Sequence, residues 1–432
     1  MNSPNKTSVG VIGLGTVGSH VARRLVERRE NLETRSGARI ELTDVADIQF
    51  PDSLQDVLSD VTCYEDAFEL IENSNCDVVV ELIGGLEPAE EVICTALKNG
   101  KDVVTANKEL LAKRGSRIVD VVERTGSRLR FEASVGGSIP IIRSLREGFV
   151  DTNVKAIYGI INGTANYVLT RMEREGQSFE EALSMAQEKG YAEADPTYDI
   201  EGDDSAHKVA ILAALGFGCR ISMDSIHCEG ITRITPEILE DARSLGYTIK
   251  LLGIAKRTGE GLDVRVHPTM IPEETALSAV RDEYNAVFTK ANPLGSSMLY
   301  GKGAGGAPTA TAIIGDVVSL ASRDDTDHAP YYFDENVQLL PTKDIVCRYY
   351  LRLMALDQPG VLARVTKILG EHQISIDSVI QHGRSDYDEV PVILTTHRAE
   401  EGNMRDAVEQ ISNLDEIGAD PVFLRIEDDF DH

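Results

Sequence analysis

The sequence predicts an α/β protein of three domains: a parallel sheet with crossover helices, a mixed α+β domain, and a ferredoxin-like domain at the C-terminal end. Three observations indicate this architecture. Apolar strands alternate with helical segments as far as residue 132, long helices and antiparallel strands follow, and a β-α-β-β-α-β order begins at residue 349. We therefore expect domains at 1–135, 136–325 and 347–432, with a linker at 326–346.

The first domain is predicted from short apolar runs that alternate with segments of helical spacing. Such alternation requires parallel strands joined by crossover helices, so a doubly wound sheet is expected. The predicted strands are 9–12, 39–47, 76–83, 102–105 and 128–132, and the predicted helices are 19–29, 88–98 and 108–125.

The two later domains are predicted from the same periodicities. In the second domain we expect helices at 139–147, 165–175, 179–189 and 205–216, strands at 154–161, 262–270 and 285–288, and a glycine turn with a final helix over 301–320 that returns to the first domain. In the third we expect strands at 349–356, 374–381, 390–396 and 421–427, and helices at 361–371 and 400–413.

Composition excludes several classes of function. The formal net charge of −28 disfavours nucleic acid and anionic membranes as partners, because both repel an acidic surface. The sequence holds neither a signal peptide nor an apolar run of about 18 residues. The six cysteines form no C-x-x-C pair and are expected to be buried thiols of a reducing compartment. We therefore expect a cytoplasmic protein.

A glycine fingerprint follows the first predicted strand. Gly13, Gly15 and Gly18 form G-x-G-x-x-G at the start of a predicted helix. The glycines permit a tight turn and close approach of the backbone to a pyrophosphate, and the helix offers it free N–H groups. A glycine turn in an unrelated α/β domain is the alternative. The strand before the motif and the helix after it favour a dinucleotide-binding site of the Rossmann type.

Two aspartates near the end of the second predicted strand bear on the choice of cofactor. An acidic side chain at Asp44 or Asp47 would accept a hydrogen bond from the adenosine ribose and repel a 2′-phosphate. The residue after Asp47 is Ile48 rather than arginine, which favours NAD over NADP. Because the gap from the fingerprint is long, the alternative is that both aspartates are simply solvated.

An acidic segment indicates the chemistry. Six carboxylates occupy the twelve positions from Glu193 to Asp204, with no basic residue among them. A solvated face and a calcium loop are the alternatives, but the D-x-D-x-D-G spacing is absent. The run 203–205 can cap a helix, and Lys208 lies four residues beyond Asp204, on the same helical face. A lysine paired with a carboxylate is a suitable proton carrier for an alcohol–carbonyl interconversion, and the neighbouring acids are expected to favour its charged form.

The string GYAEADPTYDIEGDDSAHK, at 190–208, resembles the signature of homoserine dehydrogenases. Further segments similar to that family occur in the family's order over nearly all of residues 8–320. They are the fingerprint at 13–18, TANK at 105–108, EASVGGSIP at 132–140, GIINGTANY at 159–167 and GAGGAPT at 303–309. The resemblance implies reversible NAD(P)-dependent hydride transfer between L-homoserine and L-aspartate 4-semialdehyde, in the biosynthesis of threonine, methionine and isoleucine.

The resemblance also implies roles for individual residues. Lys208 would be the principal proton donor or acceptor, Asp204 would orient it, and Lys108 would be a second catalytic lysine beside the nicotinamide. Glu193 and Asp199 would hold the substrate ammonium, and Gly190 and Tyr191 would shape the pocket. Cofactor contacts are expected at Gly13, Gly15, Thr16, Val17, Gly18, Asp47, Thr105, Lys108 and Gly305.

The same resemblance implies a monovalent-cation site. Sodium would be held by the Glu132 carboxylate and by the carbonyls of Val135, Gly137 and Ile139. Oxygen-only ligation suits a hard cation. The alternative is a structural turn that binds no ion.

One further hypothesis rests on the residues themselves. The segment Asn162-Gly163-Thr164 precedes a predicted helix, and its free N–H groups could hold the α-carboxylate of the substrate.

The last domain resembles ACT domains through LMALDQPGVLA at 353–363 and ISIDS at 374–378. ACT domains commonly pair and bind an amino acid between them, which implies a homo-oligomer, dimer or tetramer. A small effector is implied near 357–362 and Asp377, with threonine, the end product, as the natural ligand. The alternative is a purely structural dimerisation domain, because similar folds host many roles.

The sequence leaves two rival functions. Another Rossmann amino-acid or semialdehyde dehydrogenase is the first, although the phosphorylating type needs a nucleophilic cysteine and none of the six has such a context. The second is a non-catalytic amino-acid sensor that keeps NAD only as a ligand. The presence of Lys108, Asp204 and Lys208 argues against it.

Overall fold

A computed structural model describes residues 6–322, 337–381 and 389–430. The first domain holds a parallel six-stranded sheet in the order β3-β2-β1-β4-β5-β6, which is the doubly wound order of dinucleotide-binding folds. Its strands are β1 Lys6–Ile12, β2 Arg39–Ala46, β3 Thr62–Tyr64, β4 Val78–Glu81, β5 Asp102–Thr105 and β6 Leu129–Arg130. Its helices are α1 Thr16–Glu27, α2 Arg29–Ser36, α3 Ala67–Asn73, α4 Ala89–Lys98 and α5 Lys108–Thr125.

The predicted parallel sheet is confirmed, and its apolar strands are buried on both faces. Helix α5 has the predicted bounds because its ends are encoded locally: the Asn107 side chain accepts a hydrogen bond from Leu110 N, and Gly126 adopts a left-handed conformation. Three elements of the first domain were not predicted. They are the polar helix α2, the short edge strand β3 and the seven-residue helix α3.

The second domain combines helices with an antiparallel sheet. Its strands are β7 Asn153–Ile160, β8 His227–Cys228, β9 Tyr247–Arg257, β10 Leu262–Pro272, β11 Tyr284–Asn292 and β12 Gly295–Lys302. Its helices are α6 Ile141–Arg143, α7 Gly163–Glu175, α8 Phe179–Glu188, α9 Thr197–Ile200, α10 Asp203–Phe217, α11 Pro236–Ser244 and α12 Gly306–Ala321. The α+β character is confirmed. The predicted helix at 139–147 is wrong in detail, because α6 gives way to a π-helical turn, Ser144–Gly148.

The third domain has the predicted β-α-β-β-α-β order. Its elements are β13 Val346–Leu356, α13 Val361–Glu371, β14 Ile376–Gln381, β15 Glu389–Thr396, β16 Ala399–Glu400, α14 Glu401–Ser412 and β17 Val422–Ile426. The main strands lie in the order β14-β15-β13-β17, as a ferredoxin-like fold requires. Residues 326–336 of the predicted linker lie outside the described residues.

Two long-range connections bind the domains together. Strand β17 pairs with β10, with Thr269 opposite Arg425, so the sheets of the second and third domains are continuous. Helix α12 packs on α1, and its buried side chains, Ile313 and Val317 among them, join the core of the first domain. No sequence pattern predicted the β10–β17 pairing.

The described residues include no helix long and apolar enough to cross a membrane. All six cysteines are free thiols. Cys76, Cys219 and Cys347 are buried as expected, but Cys94 and Cys228 are only half-buried and Cys63 is exposed. The expectation that all six are buried was therefore wrong.

Candidate active site

The glycine fingerprint lies where two crossovers diverge, between β1 and β4. Gly13 has φ +93°, and a Cβ there would lie 2.7 Å from the carbonyl oxygen of Leu82. A Cβ on Gly18 would lie 1.8 Å from the carbonyl oxygen of Gly13, so α1 can pack closely only on glycine. Gly15, by contrast, faces open space. The turn therefore leaves an open surface at Gly15, at the point in the sheet where the fold class binds its ligands.

Two helix N-termini meet at this surface. Helix α1 begins at Thr16 and Val17 with no side-chain cap, and α12 begins after Gly305, also uncapped, where φ is +112°. The two lie so close that a Cβ on Gly306 would be 2.5 Å from the His20 ring. Uncapped N–H groups with the positive ends of two helix dipoles suit an anionic group such as a pyrophosphate. The residues present thus fit a dinucleotide.

Asp47 contacts the fingerprint directly. Its carboxylate accepts a hydrogen bond from the backbone N–H of Leu14 and another, 3.0 Å long, from Gln49 N. Asp44 is buried. The alternative that both aspartates are simply solvated is therefore wrong. Asp47 holds the glycine turn in place and puts negative charge at the end of β2.

An acidic residue that sequence reasoning missed lies beside the same surface. Glu81, at the end of β4, is completely buried and accepts hydrogen bonds from Thr105 Oγ1 and Ile83 N, both 2.7 Å. Burial raises the pKa of the Glu81 carboxyl. The available signal was one acid at the end of an otherwise apolar strand, three residues before Gly84. Glu81 thereby fixes the Thr105 hydroxyl at the strand end.

Two lysines converge on one buried carboxylate between the first and second domains. Lys108 Nζ lies 2.8 Å from Asp204 Oδ1, and Lys208 Nζ lies 2.6 Å from Asp204 Oδ2. Lys208 also donates to the carbonyl of Ile161, 2.7 Å away. The predicted pairing of Asp204 with Lys208 on one helical face is confirmed. Helix α10, which carries both residues, begins earlier than expected. Its N-cap is Gly202, and residues 203–205, which were expected to cap it, lie in its first turn.

Burial and charge push the pKa values of the two lysines apart. Burial lowers the pKa of Lys208 below its ordinary value, and the positive charge of Lys108 adds to this effect, although Asp204 opposes it. For Lys108 burial also lowers the pKa, but Asp204 outweighs it and the net shift is upward. Asp204 stays ionised, because the two lysines overcome the burial that raises its pKa. Asp204 and Asp199 favour the charged form of Lys208, as expected, but desolvation is larger and the net shift of its pKa is downward.

A second carboxylate belongs to the same cluster. Asp199 accepts hydrogen bonds from Asn162 Nδ2 at 2.7 Å and from Thr164 Oγ1 at 3.2 Å. The single hydroxyl proton of Thr164 is shared with the carbonyl of Tyr191, which lies closer, at 2.7 Å. Burial raises the pKa of Asp199, and the hydrogen bond from Asn162 opposes this shift. The structure thus joins α7, the 190–191 turn and α9 around one acidic pocket.

Not every predicted substrate residue enters this cluster. Gly190 has φ +73° and turns the chain after α8, next to Tyr191, whose ring packs 5.1 Å from that of Tyr167. Glu193 is exposed and its carboxylate lies outside the hydrogen-bonded cluster. Gly163 is the first residue of α7, and a Cβ there would lie 2.8 Å from the carbonyl oxygen of Glu283.

The pocket has an aromatic wall that sequence reasoning missed. The Tyr198 ring lies 5.5 Å from Lys108 Nζ, and its hydroxyl hydrogen-bonds to His207 Nδ1. Burial lowers the pKa of His207. Both residues lie within 190–208, but no sequence pattern predicts the contact between them.

The loop expected to bind a cation is compact and buried. Both oxygens of the Glu132 carboxylate accept a backbone N–H, from Ile142 and Arg143, each 2.8 Å away. Val135 and Ile139 are buried, and Gly137 has φ +56°. Burial raises the pKa of Glu132, because the two backbone hydrogen bonds do not fully offset the loss of water around its carboxylate. A carboxylate and backbone carbonyls are ligand types that suit a hard monovalent cation, but both Glu132 oxygens already accept backbone N–H groups, which is equally consistent with a purely structural turn.

Asp316 of α12 adjoins this loop and was not predicted. It accepts a 2.8 Å hydrogen bond from the backbone N–H of Glu132. Burial raises the pKa of Asp316 to about 7, and the negative charge of Glu132 adds to the shift. Asp316 therefore ties α12 to the loop and places a second buried acid beside Glu132.

Comparisons with known proteins agree along the whole chain. Residues 13–132 match the family model of the homoserine dehydrogenase NAD-binding domain, 140–318 match that of homoserine dehydrogenase, and 349–416 match the ACT domain. The chain is 39% identical to a homoserine dehydrogenase of Neisseria gonorrhoeae, over 97% of this chain and 98% of that one, and 40% identical to one of Pseudomonas aeruginosa over the same shares.

A solved structure supports the same assignment. The homoserine dehydrogenase of Thiobacillus denitrificans superposes with a TM-score of 0.93 at 40% identity, covering 99% of this chain and 100% of that one. The chain therefore belongs to the homoserine dehydrogenase family of NAD(P)-dependent oxidoreductases.

Proposed function

We propose that the chain catalyses reversible NAD(P)-dependent hydride transfer between L-homoserine and L-aspartate 4-semialdehyde, within threonine, methionine and isoleucine biosynthesis. The observation that carries the proposal is the pair of lysines bound to the two oxygens of buried Asp204, between the glycine turn and the acidic pocket. Such a site shields the Asp204 carboxylate from water and holds a proton carrier at the domain boundary.

Lys208 is the principal proton carrier in this proposal. In the reductive direction it gives a proton to the forming alkoxide, and its lowered pKa makes that transfer easier. Asp204 orients the Lys208 ammonium through the 2.6 Å contact. Lys108 keeps its charge and faces the cofactor side of the pocket. When bound, the nicotinamide supplies or accepts the hydride.

The substrate is a zwitterion, and the pocket offers partners for both of its charges. Asp199 is suited to the substrate ammonium, with Glu193 at the exposed rim, while Gly190 and Tyr191 form the turn that closes the pocket. The backbone N–H groups of Gly163 and Thr164, at the start of α7, are proposed to hold the α-carboxylate.

The dinucleotide is proposed to lie along the fingerprint. Its contacts are Gly13, Gly15, Thr16, Val17, Gly18, Asp47, Thr105, Lys108 and Gly305. Asp47 places negative charge at the end of β2, which supports NAD, because a 2′-phosphate would be repelled there. A sodium ion is proposed between Glu132 and the carbonyls of Val135, Gly137 and Ile139.

The third domain is proposed to bind an amino acid effector, threonine, and the chain is proposed to act as a homo-oligomer, dimer or tetramer, in the cytoplasm. The domain division 1–135, 136–325 and 347–432 with the linker 326–346 is kept as part of this proposal.

The proposed effector region is the loop 357–362 together with Asp377. Asp377 lies on β14 and binds Arg348 at 2.9 Å. Gln381 of the same strand donates a 3.0 Å hydrogen bond to Asp357, so β14 contacts both parts of the region.

The test follows the absorbance of the reduced nicotinamide with homoserine and either NAD or NADP. We expect turnover with the wild type, and a loss of about 100- to 10,000-fold in kcat with Lys208→Ala while the cofactor still binds. The exposed Lys98→Ala on α4 is the matched control and should leave kcat unchanged. If the wild type shows no turnover in either direction, with sodium and potassium present, the proposed dehydrogenase reaction is refuted. A non-catalytic amino-acid sensor would then be favoured.

A further inference from the structure

Asn162 stands between the two acidic side chains of the pocket. It follows β7, is 4% exposed, and uses every hydrogen-bonding atom of its amide group. Its Oδ1 accepts a hydrogen bond from the backbone N–H of Ala165, 2.8 Å away, which caps α7. Its Nδ2 donates to Asp199 Oδ1 at 2.7 Å and to Asp204 Oδ2 at 2.9 Å.

Two carboxylates that share one amide donor are held close together, and their negative charges repel each other. Asp204 has two lysines in direct contact as counter-ions, whereas Asp199 accepts hydrogen bonds from neutral groups, the Asn162 amide and the Thr164 hydroxyl, and interacts with Lys208 at longer range. The amide is therefore the donor that both carboxylates have in common. Its two N–H groups fix the oxygens they bind, and one of these, Asp204 Oδ2, is also the oxygen that contacts Lys208.

We propose that Asn162 is a positioning residue for the reaction. Through Asp204 it sets the orientation of Lys208, and through Asp199 it keeps ionised the carboxylate that receives the substrate ammonium. The inference rests on the proposed roles of Asp199 and Asp204.

The competing explanation is that Asn162 serves only as a helix cap. Capping needs the acceptor Oδ1 alone, and serine or aspartate at this position can supply an equivalent oxygen. Neither can donate two N–H groups. Asn162→Ser therefore removes the shared donor without adding charge, and Asn162→Asp removes it and adds a third negative charge to the pocket.

A matched control lies one turn further along the same helix. Asn166 is equally buried, and its Nδ2 donates to the carbonyls of Asp282 and Tyr284 rather than to the pocket. Asn166→Ser thus measures what loss of a buried amide costs the fold without touching the two carboxylates.

The experiment measures kcat and KM for homoserine across pH in the full-length wild type and the three variants, with thermal midpoints and cofactor affinity alongside. For Asn162→Ser we expect kcat/KM to fall by about tenfold or more. The acidic limb of the profile should move to higher pH, because an Asp199 without its donor protonates more readily. Asn162→Asp should move the limb further, and Asn166→Ser should leave it in place.

A profile that keeps its shape in both Asn162 variants, with a loss only in thermal midpoint, would overturn the proposal and leave Asn162 as a cap. If Asn162→Ser does not fold, Asn162→Asp, which retains the strongest capping side chain, decides alone. Absence of turnover in the wild type would instead refute the proposed reaction, so the two failures are distinguishable.

Discussion

The Arg425 guanidinium of the third domain donates two hydrogen bonds to the Glu229 carboxylate of the second, at 2.7 and 2.9 Å. Arg425 is 1% exposed and also contacts Glu401 and His227. Among the described residues, His227, Glu229 and Glu401 are the one group spaced like metal ligands, but the guanidinium already supplies the cation there. This ion cluster joins the same two domains as the β10–β17 pairing.

The first prediction concerns the stability of that junction. Glu229→Ala leaves the buried guanidinium with less compensation, so we expect a loss of about 3 kcal/mol of unfolding free energy. Calorimetry should show a clear fall in thermal midpoint. Glu371→Ala is the control, because its pair with Lys367 is exposed and worth under about 1 kcal/mol. Equal effects of the two substitutions would contradict the prediction.

The second prediction is the pH dependence of the same contribution. Burial raises the pKa of Glu229, but hydrogen bonds from His227 and Arg425 outweigh it and hold the pKa well below its ordinary value of 4.5. A carboxyl whose pKa is lower in the folded than in the unfolded protein adds to the free energy of unfolding when the pH is above its unfolded-state pKa. That contribution is lost as the pH falls toward the folded-state pKa. The difference in thermal midpoint between wild type and Glu229→Ala should therefore be full near neutral pH and shrink progressively below about pH 4.5. A difference that stays constant would argue that the pair is not ionic.

Local signals explain what the sequence predicts well. The glycine fingerprint, the capped helix α5 and helix α13 have bounds that depend on neighbours within a few residues. The same is true of Asp204 and Lys208, whose contact follows from helical spacing alone. Patterns of this kind predicted the fold class, the acidic segment at 193–204 and helix α10, which carries Asp204 and Lys208.

The features that were missed depend on pairing between distant segments. Arg425 and Glu229 are separated by 196 positions, and Asn162 and Asp204 by 42. Whether a buried polar side chain caps a helix, bridges two acids or joins two domains is decided only when the chain has folded. For the same reason the sequence shows an acid at Glu81 but does not predict its hydrogen bond to Thr105, which lies 24 positions away.

The third prediction separates the side chain of Thr164 from its backbone N–H. Thr164→Val removes the hydroxyl that contacts Tyr191 and Asp199, and Thr164→Pro removes the N–H as well. If the N–H binds the substrate carboxylate, proline should raise KM for homoserine about tenfold more than valine, with cofactor affinity unchanged. Equal KM values for Thr164→Pro and Thr164→Val would show that the Thr164 N–H does not bind the substrate carboxylate. Gly163 is unsuitable for this test, because any side chain there meets the carbonyl of Glu283.

The fourth prediction concerns the proton carried by Lys208. Semialdehyde reduction needs the charged lysine, so activity should fall as pH rises through its pKa. The Asp204 carboxylate raises that pKa against burial, and Asp204→Asn should therefore move the basic limb of kcat/KM to lower pH and reduce kcat. Asp203→Asn, on the adjacent exposed acid, is the control and should leave the limb in place. A basic limb that is unchanged in Asp204→Asn would assign the titration to another group.

The fifth prediction decides between a cation site and a structural turn. In the wild type, replacing sodium and potassium by a bulky quaternary ammonium salt at equal ionic strength should lower both activity and thermal midpoint, because the buried loop loses its ion. Glu132→Gln keeps one oxygen acceptor for Ile142 or Arg143 but removes the charge, so the variant should be less stable and should no longer respond to the exchange of salt. Glu147→Gln, on an exposed acid near the same helix, should respond as the wild type does. A wild type indifferent to the cation would show that Glu132 acts only by capping α6, since its two N–H contacts require no ion.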